Sequence, residues 1–343
     1  MTLSTRFERL QLPLEHHFTI SRGTTTEADL VVVEIEDESG TVGVGGAGPS
    51  AHYGETADTV EAVLPDLLAV VEDVGDPHQL ARIERRMRET IGRNPAARTA
   101  VSIALHDLAA KQLDAPLYRY WGLDPDEAVP SSYTIGIDPT ERMRERAAEA
   151  VEMGRNVLKV KLGTDRDEEI VAAIREAAPD ATIRVDANEA WTPREAVRKT
   201  EILADHGVEF VEQPVPAEDP EGLQFVYENG VLPIAADESC ITLEDVPEIA
   251  DRADIANLKL MKTGGLREAM RMIHAAHAHG LEVMLGCMTE TNASIAAGAH
   301  LAPLLDYADL DGSLLLAEDP YDGPVQEDGT IELSEKPGIG ARR

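Results

Sequence analysis

Seven lysines occur in 343 residues, and four of them fall in two short clusters, Lys159-Val160-Lys161 and Lys259-Leu260-Met261-Lys262. The other 24 basic residues (31 − 7) are arginines. Arginine does not shuttle protons near neutrality, whereas lysine does once burial or a neighbouring cation brings its pKa down from about 10.4. Between the two clusters, three of the carboxylates, Asp186, Glu212 and Asp237, each close a short apolar run. Brought together, they make an all-oxygen site suited to a hard divalent cation such as Mg2+. Structural zinc is not expected, because Cys240 and Cys287 are far apart and form no Cys-x-x-Cys pair. A substrate carboxylate held on such a cation has its α-proton acidified, because the enediolate left behind is stabilised. One lysine then removes that proton from one face and the other returns a proton to the opposite face, which inverts the α-carbon. The cation and the second lysine of each cluster are expected to pull the working lysine's pKa towards neutrality. The plainer reading, structural salt bridges, fits one Lys–Asp pair better than it fits three acids and two lysine clusters.

The spacing predicts what positions these groups. Thr134, Lys161, Asp186, Glu212, Asp237, Lys259, Gly286 and Asp309 lie in, or directly after, short apolar runs. They are separated by 27, 25, 26, 25, 22, 27 and 23 residues. A strand, a helix and two connections take about that much chain, and helical periodicity fills 140–153, 167–178, 193–206 and 266–280. Eight such units predict a (β/α)8 barrel. An open doubly wound sheet alternates in the same way, but no glycine-rich phosphate loop follows a first strand. In a barrel the C-terminal strand ends line one mouth. Lys161 on strand two and Lys259 on strand six then face each other across it, with the three acids on the strands between. Asp309 and Asp311 belong to strand eight, opposite Glu212. Residues two apart on a strand share a face, so Lys159 points inward with Lys161, and Asp309 with Asp311.

Taken together, Lys159-Val160-Lys161, Asp186-Ala187-Asn188, Glu212-Gln213-Pro214, Asp237-Glu238-Ser239 and Lys259-Leu260-Met261-Lys262-Thr263-Gly264-Gly265 resemble the muconate-lactonizing subgroup of the enolase superfamily. The resemblance covers nearly the whole chain. It implies an α/β fold, a modified TIM (β/α)8 barrel with an N-terminal α+β capping domain. It implies one Mg2+ per subunit on Asp186, Glu212 and Asp237, with Lys161 and Lys259 as the acid/base pair. It also implies that Lys159 tunes Lys161, and that Asn188, Glu238 and Lys262 support the metal site from behind. The segment Leu285-Gly286-Cys287-Met288-Thr289-Glu290-Thr291 and Asp309-Leu310-Asp311-Gly312 look like the dipeptide epimerases, such as the L-Ala-D/L-Glu epimerases. In that family the two aspartates hold the free α-ammonium of the dipeptide. Read alone, Asp-x-Asp in so acidic a chain is equally well a solvated loop. Thr134 is taken as a further substrate-binding residue, with Lys159. Arg22, in Phe18-Thr19-Ile20-Ser21-Arg22-Gly23-Thr24, matches the cap-loop arginine that Glu-preferring relatives use; without coordinates it is equally well a surface arginine. Gly46-Ala47 departs from the Glu-Cys pair common in relatives, which leaves the preferred dipeptide open. N-Succinylamino acid racemase, o-succinylbenzoate synthase and muconate cycloisomerase use the same scaffold. Their substrates lack a free ammonium, so Asp309 and Asp311 count against them. A non-catalytic barrel serving as a binding module predicts decayed site residues, and none is decayed. A dehydratase reading wants a His–Asp dyad on strands six and seven, where this chain has Lys259 and Gly286.

Sixty-four acidic against 31 basic residues give a net charge of −33. That sign excludes nucleic-acid binding. Excess carboxylate with scarce lysine predicts adaptation to concentrated salt, a halophilic protein. No stretch is apolar enough to span a membrane, no signal peptide opens the chain, and two cysteines give no disulfide framework. A cytoplasmic homo-oligomer is expected, with a small-molecule dipeptide as its partner. The division predicted is a cap over 1–123, the barrel over 124–316 and a C-terminal segment over 317–343 packing back on the cap. Cap strands are expected over 7–20 and 29–44, the latter turning at 38–40, with helices over 56–72, 77–90 and 95–112. His274, His277 and His279 lie at the end of one helix, away from the strand C-termini, and are read as surface groups.

Overall fold

The computed structural model describes residues 2–343. The chain opens with three antiparallel strands, β1 (Leu3–Ile20), β2 (Gly23–Asp37) and β3 (Val42–Ala47). β1 and β2 form a long hairpin running from Leu3 opposite Asp37 to Ile20 opposite Gly23. Arg22 therefore sits at its tip. β2 starts earlier than the apolar pattern suggests, because Thr24, Thr25 and Thr26 are β-branched and pair without being buried. β2 is the central strand, and its run Val31-Val32-Val33 is buried on both faces. The turn at 38–40 separates β2 from β3 instead of bending one strand. Helices α1 (Ala57–Val74) and α3 (Pro95–Gln112) cover this sheet, and α2 (Leu80–Thr90) packs against both of them. The sheet and α3 meet almost backbone to backbone. A Cβ on Gly43 or Gly45 would lie 2.1 Å from the carbonyl of Ala104 or Ala100, so only glycine allows the approach.

After α4 (Leu117–Tyr120) come eight parallel strands in sequential order. They are β4 (Tyr133–Ile135), β5 (Val157–Lys161), β6 (Thr182–Asp186), β7 (Val208–Glu212), β8 (Ile234–Ala236), β9 (Ile255–Lys259), β10 (Glu282–Gly286) and β11 (Tyr307–Ala308). Between them lie α5 (Thr140–Glu152), α6 (Asp167–Ala177), α7 (Pro193–Asp205), α8 (Pro220–Asn229), α9 (Asp245–Ile249), α10 (Leu260–Thr263), α11 (Leu266–Ala278) and α12 (Asn292–Ala299). The ring closes through a single parallel bridge, Ser131 to Ala308, at which the Ser132 amide donates to the Ala308 carbonyl at 2.9 Å. Asp309 and Asp311 lie beyond β11 rather than within it. The strand ends at Ala308, so the two-residue strand period does not aim them.

The register sets the site. Lys161 pairs with Asp186 across β5 and β6, and Asp186 with Glu212 across β6 and β7. All three therefore stand at one level of the barrel mouth.

The C-terminal segment divides its contacts. Gly338 bridges Pro116, and the Ile339 amide donates to buried Asp107 on α3, so this part does pack on the cap. The preceding stretch packs on the barrel's start instead: the Ser131 amide donates to the Gly329 carbonyl at 2.9 Å. Among the described residues no helix is long and apolar enough to cross a membrane. On α11, His277 lies 3.1 Å from Asp306 at the protein surface.

Candidate active site

A cavity of about 830 Å³ opens between the β1–β2 hairpin, the loop 49–57 and the barrel mouth. Lys161 and Lys259 both line it, from strands four apart in a ring of eight. Below it, Asp186, Glu212 and Asp237 are fully buried, and each offers an oxygen within 4.8 Å of the others.

The two lysines reach different members of that set. Lys161 Nζ donates to Asp186 Oδ2 at 2.6 Å, and Lys259 Nζ donates to Asp237 Oδ2 at 2.6 Å. Lys262 Nζ donates to the other oxygen of Asp237, at 2.6 Å, and to the Asn257 carbonyl at 2.9 Å. The Asn188 amide donates to Asp186 Oδ1 at 2.8 Å. Lys159 sits deeper. Its Nζ lies 2.7 Å from Asp309 Oδ2, 2.7 Å from Glu212 Oε2 and 3.4 Å from Asp186 Oδ2. All three of these contacts are carboxylates.

Charge in the triad is uneven. Burial alone would raise the pKa of Asp186, but Lys161 and Lys159 more than offset it and hold the carboxylate below its ordinary range. Asp237 is held down in the same way, by Lys259 and Lys262. Glu212, pushed by burial and by Asp186, rises to about 8. Burial disfavours the Lys259 ammonium, yet Asp237 at contact holds its pKa well above the ordinary lysine value. Lys159 is likewise held up, by Asp309 and Glu212. These directions belong to the triad without a cation, whereas the expected lowering of the lysine pKa relies on a bound one.

The donor set fits a hard cation. Glu212 Oε2 is buried and accepts no hydrogen bond, although the Lys159 ammonium stands 2.7 Å from it. Asn188 Oδ1 and Glu238 Oε2 are also buried acceptors without donors. Buried oxygens lacking donors are costly unless a cation meets them. Asp186, Glu212 and Asp237 are the residues placed to hold one.

On the other side of the mouth, Asp309 Oδ1 accepts from Ser132 Oγ, and Asp311 Oδ2 accepts from the Thr134 amide at 2.6 Å. Thr134 Oγ1 adds a bond to Asp311 Oδ1 at 3.2 Å. The same hydroxyl lies 3.4 Å from Asp309 Oδ1, so Thr134, which lines the cavity, ties both aspartates to the end of β4. Lys159 already meets the charge of Asp309. Burial and Asp309 raise Asp311 to about 6.

Arg22 reaches over the cavity from the hairpin tip. Its Nη2 donates to Glu238 Oε1 at 2.8 Å and its Nη1 to Glu189 Oε2 at 3.0 Å. It is therefore not an ordinary surface arginine. Burial and Asp237 bring Glu238 up to about 7.

Four contributors escaped the sequence reading. Asn257 Nδ2 donates to Glu212 Oε1 at 2.8 Å. Its position two residues before Lys259 on β9 was the available signal. Gln213 Oε1 accepts from the Asp237 amide at 2.9 Å. Ser132 and Tyr53 carried no local signal. Tyr53, whose hydroxyl is buried and unpartnered, lines the cavity with Lys259. Asn188, Glu189 and Gln213 have φ of 43°, 68° and 36°. Left-handed non-glycine residues directly after two of the acidic strand ends are the kind of strain that collects at functional sites.

Comparison with known proteins gives the same picture. Residues 142–342 match the family described as enolase C-terminal domain-like, and residues 5–122 match the mandelate racemase / muconate lactonizing enzyme N-terminal domain. The chain is 40% identical to the L-Ala-D/L-Glu epimerase of Bacteroides thetaiotaomicron, over 97% of this chain and 86% of that one. It is 39% identical to the hydrophobic dipeptide epimerase of Enterococcus faecalis, over 96% of each. The crystal structure of the dipeptide epimerase from Enterococcus faecalis complexed with Mg and the dipeptide L-Leu-L-Tyr superposes with a TM-score of 0.92, covering 100% of both chains at 37% identity. With both halves matched, and a barrel mouth built from the same strand ends that the sequence motifs mark, the chain belongs to the mandelate racemase / muconate lactonizing enzyme family of the enolase superfamily.

Proposed function

We propose that this chain is a Mg2+-dependent dipeptide epimerase that inverts the α-carbon of the C-terminal residue of a dipeptide by transferring protons between two lysines. The observation that carries the reading is that Lys161 and Lys259, from opposite strands of one cavity, each bond a different carboxylate of a single buried triad. A group at that triad's mouth has one ammonium on either side of it.

Asp186, Glu212 and Asp237 hold the cation, which when bound stabilises the charge that develops on the substrate carboxylate as the α-proton leaves. Lys161 takes the α-proton from one face, and Lys259 gives a proton to the other; for the opposite isomer the roles exchange. Each lysine is oriented by its aspartate, and Lys262 fixes Asp237 from behind. Asp311, placed by Thr134, receives the free α-ammonium of the dipeptide together with Asp309. An N-acylated substrate would leave Asp311 buried beside Asp309 with no cation to meet it, a cost of several kcal/mol by the usual penalty for buried charge. That supports a free-amine dipeptide over a succinylated amino acid. The relatives' names support the same class, although they divide between an acidic and a hydrophobic preference.

The test is a dipeptide library incubated with enzyme and Mg2+ in deuterium oxide. The expected result is a mass gain of one unit at a single α-carbon, with both epimers formed. Absence of exchange with every dipeptide would end the proposal.

A further inference from the structure

We infer that the pocket for the epimerised residue's side chain is built for an uncharged side chain and against a carboxylate, because Glu189 and Glu238 already occupy Arg22. The inference rests on the dipeptide epimerase reading and names the substrate class of that site.

A dipeptide whose carboxylate lies at the Asp186–Glu212–Asp237 triad directs its C-terminal side chain towards whatever stands above that triad. Asn188 and Glu238, which follow two of the triad residues in sequence, both touch Arg22: the Asn188 carbonyl accepts from Arg22 Nη1 at 3.3 Å, and Glu238 Oε1 from Nη2 at 2.8 Å. The ammonium end lies across the mouth at Asp311. The Arg22 group is thus the cationic feature of the side-chain pocket.

Its charge is spent. Glu189 Oε2 lies 3.0 Å from Arg22 Nη1, and its other oxygen accepts from the Ala217 amide at 2.8 Å, which pins the carboxylate in place. Glu189 alone balances the guanidinium, and Glu238 adds a second carboxylate to it. A substrate γ-carboxylate would be a third carboxyl group around one guanidinium. It would have to displace a pinned ion pair, and breaking a buried or half-buried pair costs more than the new one returns. The rest of this wall mixes apolar and neutral polar groups: the Tyr53 hydroxyl is buried without a partner, and His52 Nε2 lies 3.5 Å from Glu189 Oε2. His52 and Tyr53 stack edge to face at 4.9 Å, and Ile20 and Pro49 line the cavity beside them. Glu189 is therefore a specificity-determining residue, and it acts through Arg22.

The test measures kcat/KM for L-Ala-L-Leu, L-Ala-L-Lys and L-Ala-L-Glu by α-deuterium incorporation, with wild type, Glu189→Gln and Arg22→Met, all loaded with Mg2+. Wild type is expected to prefer Ala-Leu over both charged dipeptides. Glu189→Gln is expected to raise the Ala-Glu to Ala-Leu ratio at least tenfold by freeing Arg22. Arg22→Met is expected to change the two substrates by similar factors. A wild-type preference for Ala-Glu, or a selective loss of Ala-Glu in Arg22→Met, overturns the inference and leaves the epimerase reading intact. Exchange with none of the three and with no other dipeptide overturns both.

Discussion

Lys161 and Lys259 hold the same carboxylate triad from opposite sides, each at 2.6 Å and each through a different aspartate. Such a pair is redundant as structural support but not as chemistry, because inversion needs one acid and one base. Lys161→Ala and Lys259→Ala are each expected to lower epimerisation by about 10²–10⁴-fold, the usual contribution of a positioned acid or base. Each variant should still exchange the α-proton of one isomer, the one whose proton faces the remaining lysine. Proton NMR in deuterium oxide, started separately from each pure epimer, reads this directly. A variant that epimerises at near the wild-type rate disproves the two-base assignment.

Asn257 carries no charge, yet it is the residue that orients Glu212, the triad member with no lysine hydrogen bond. Asn257→Leu preserves volume on a buried strand while leaving Glu212 Oε1 without its donor. Losing such a supporting bond lowers metal affinity by about 10–100-fold. Titration calorimetry with Mg2+ on wild type and variant checks it. Equal affinities would show that Glu212 is held by other means.

The barrel and its triad were legible because a repeat of about 25 residues ends each time on a polar group. The register Lys161–Asp186–Glu212 then follows from parallel pairing alone. What the sequence hid were contacts with no local signature. Ser132 meets Asp309 across 177 residues, through a ring closure made by one bridge. Arg22 was readable as a loop arginine, but its capture by Glu189 depends on a left-handed residue that no propensity favours. At Lys259 the chain neighbours point to Lys262 as the nearest charge, whereas Asp237, just after the adjacent strand, makes the contact at 2.6 Å. Aspartates 309 and 311 were placed correctly at the mouth by a strand period that does not extend to them.

Glu84 offers a pH test away from the catalytic groups. It lies on α2, buried where the cap meets the barrel, accepting from Ser102 Oγ at 2.8 Å with Arg267 at 3.8 Å. Burial raises its pKa to about 7, and the Ser102 bond and Arg267 only partly oppose this. The folded state thus holds a proton that the unfolded chain, titrating near 4.3, has already released. Its contribution to stability is complete below the unfolded value and is lost as pH rises through about 7. Glu84→Gln keeps the acceptor for Ser102 and removes the titration. The variant should melt higher than wild type at pH 8, by an amount on the order of 3 kcal/mol, with the gap closing near pH 4.5. Melting curves across that range decide it; a gap independent of pH would place the effect elsewhere.

The surface sets the salt dependence. Only Lys336 of the seven lysines is exposed, and the net charge is −33. Surface arginines do pair with acids, as Arg9 does with Asp29, Asp58 and Glu61. Exposed pairs of this kind contribute about 0–1 kcal/mol each and weaken as salt rises. With 64 acidic and 31 basic residues, 33 negative charges (64 − 31) are left uncompensated, so repulsion outweighs these pairs in dilute buffer. Raising ionic strength from 0.1 M to 1 M shortens the screening length from about 10 Å to about 3 Å, which removes most of that repulsion. The melting temperature should therefore climb with KCl through the molar range and respond equally to NaCl, because the effect is generic to charge. A specific Mg2+ contribution should instead saturate at low concentration and survive only while the triad is intact. Thermal scans in KCl, NaCl and MgCl2, with and without chelator, separate the two. An equal or higher melting temperature in dilute buffer refutes the adaptation to salt.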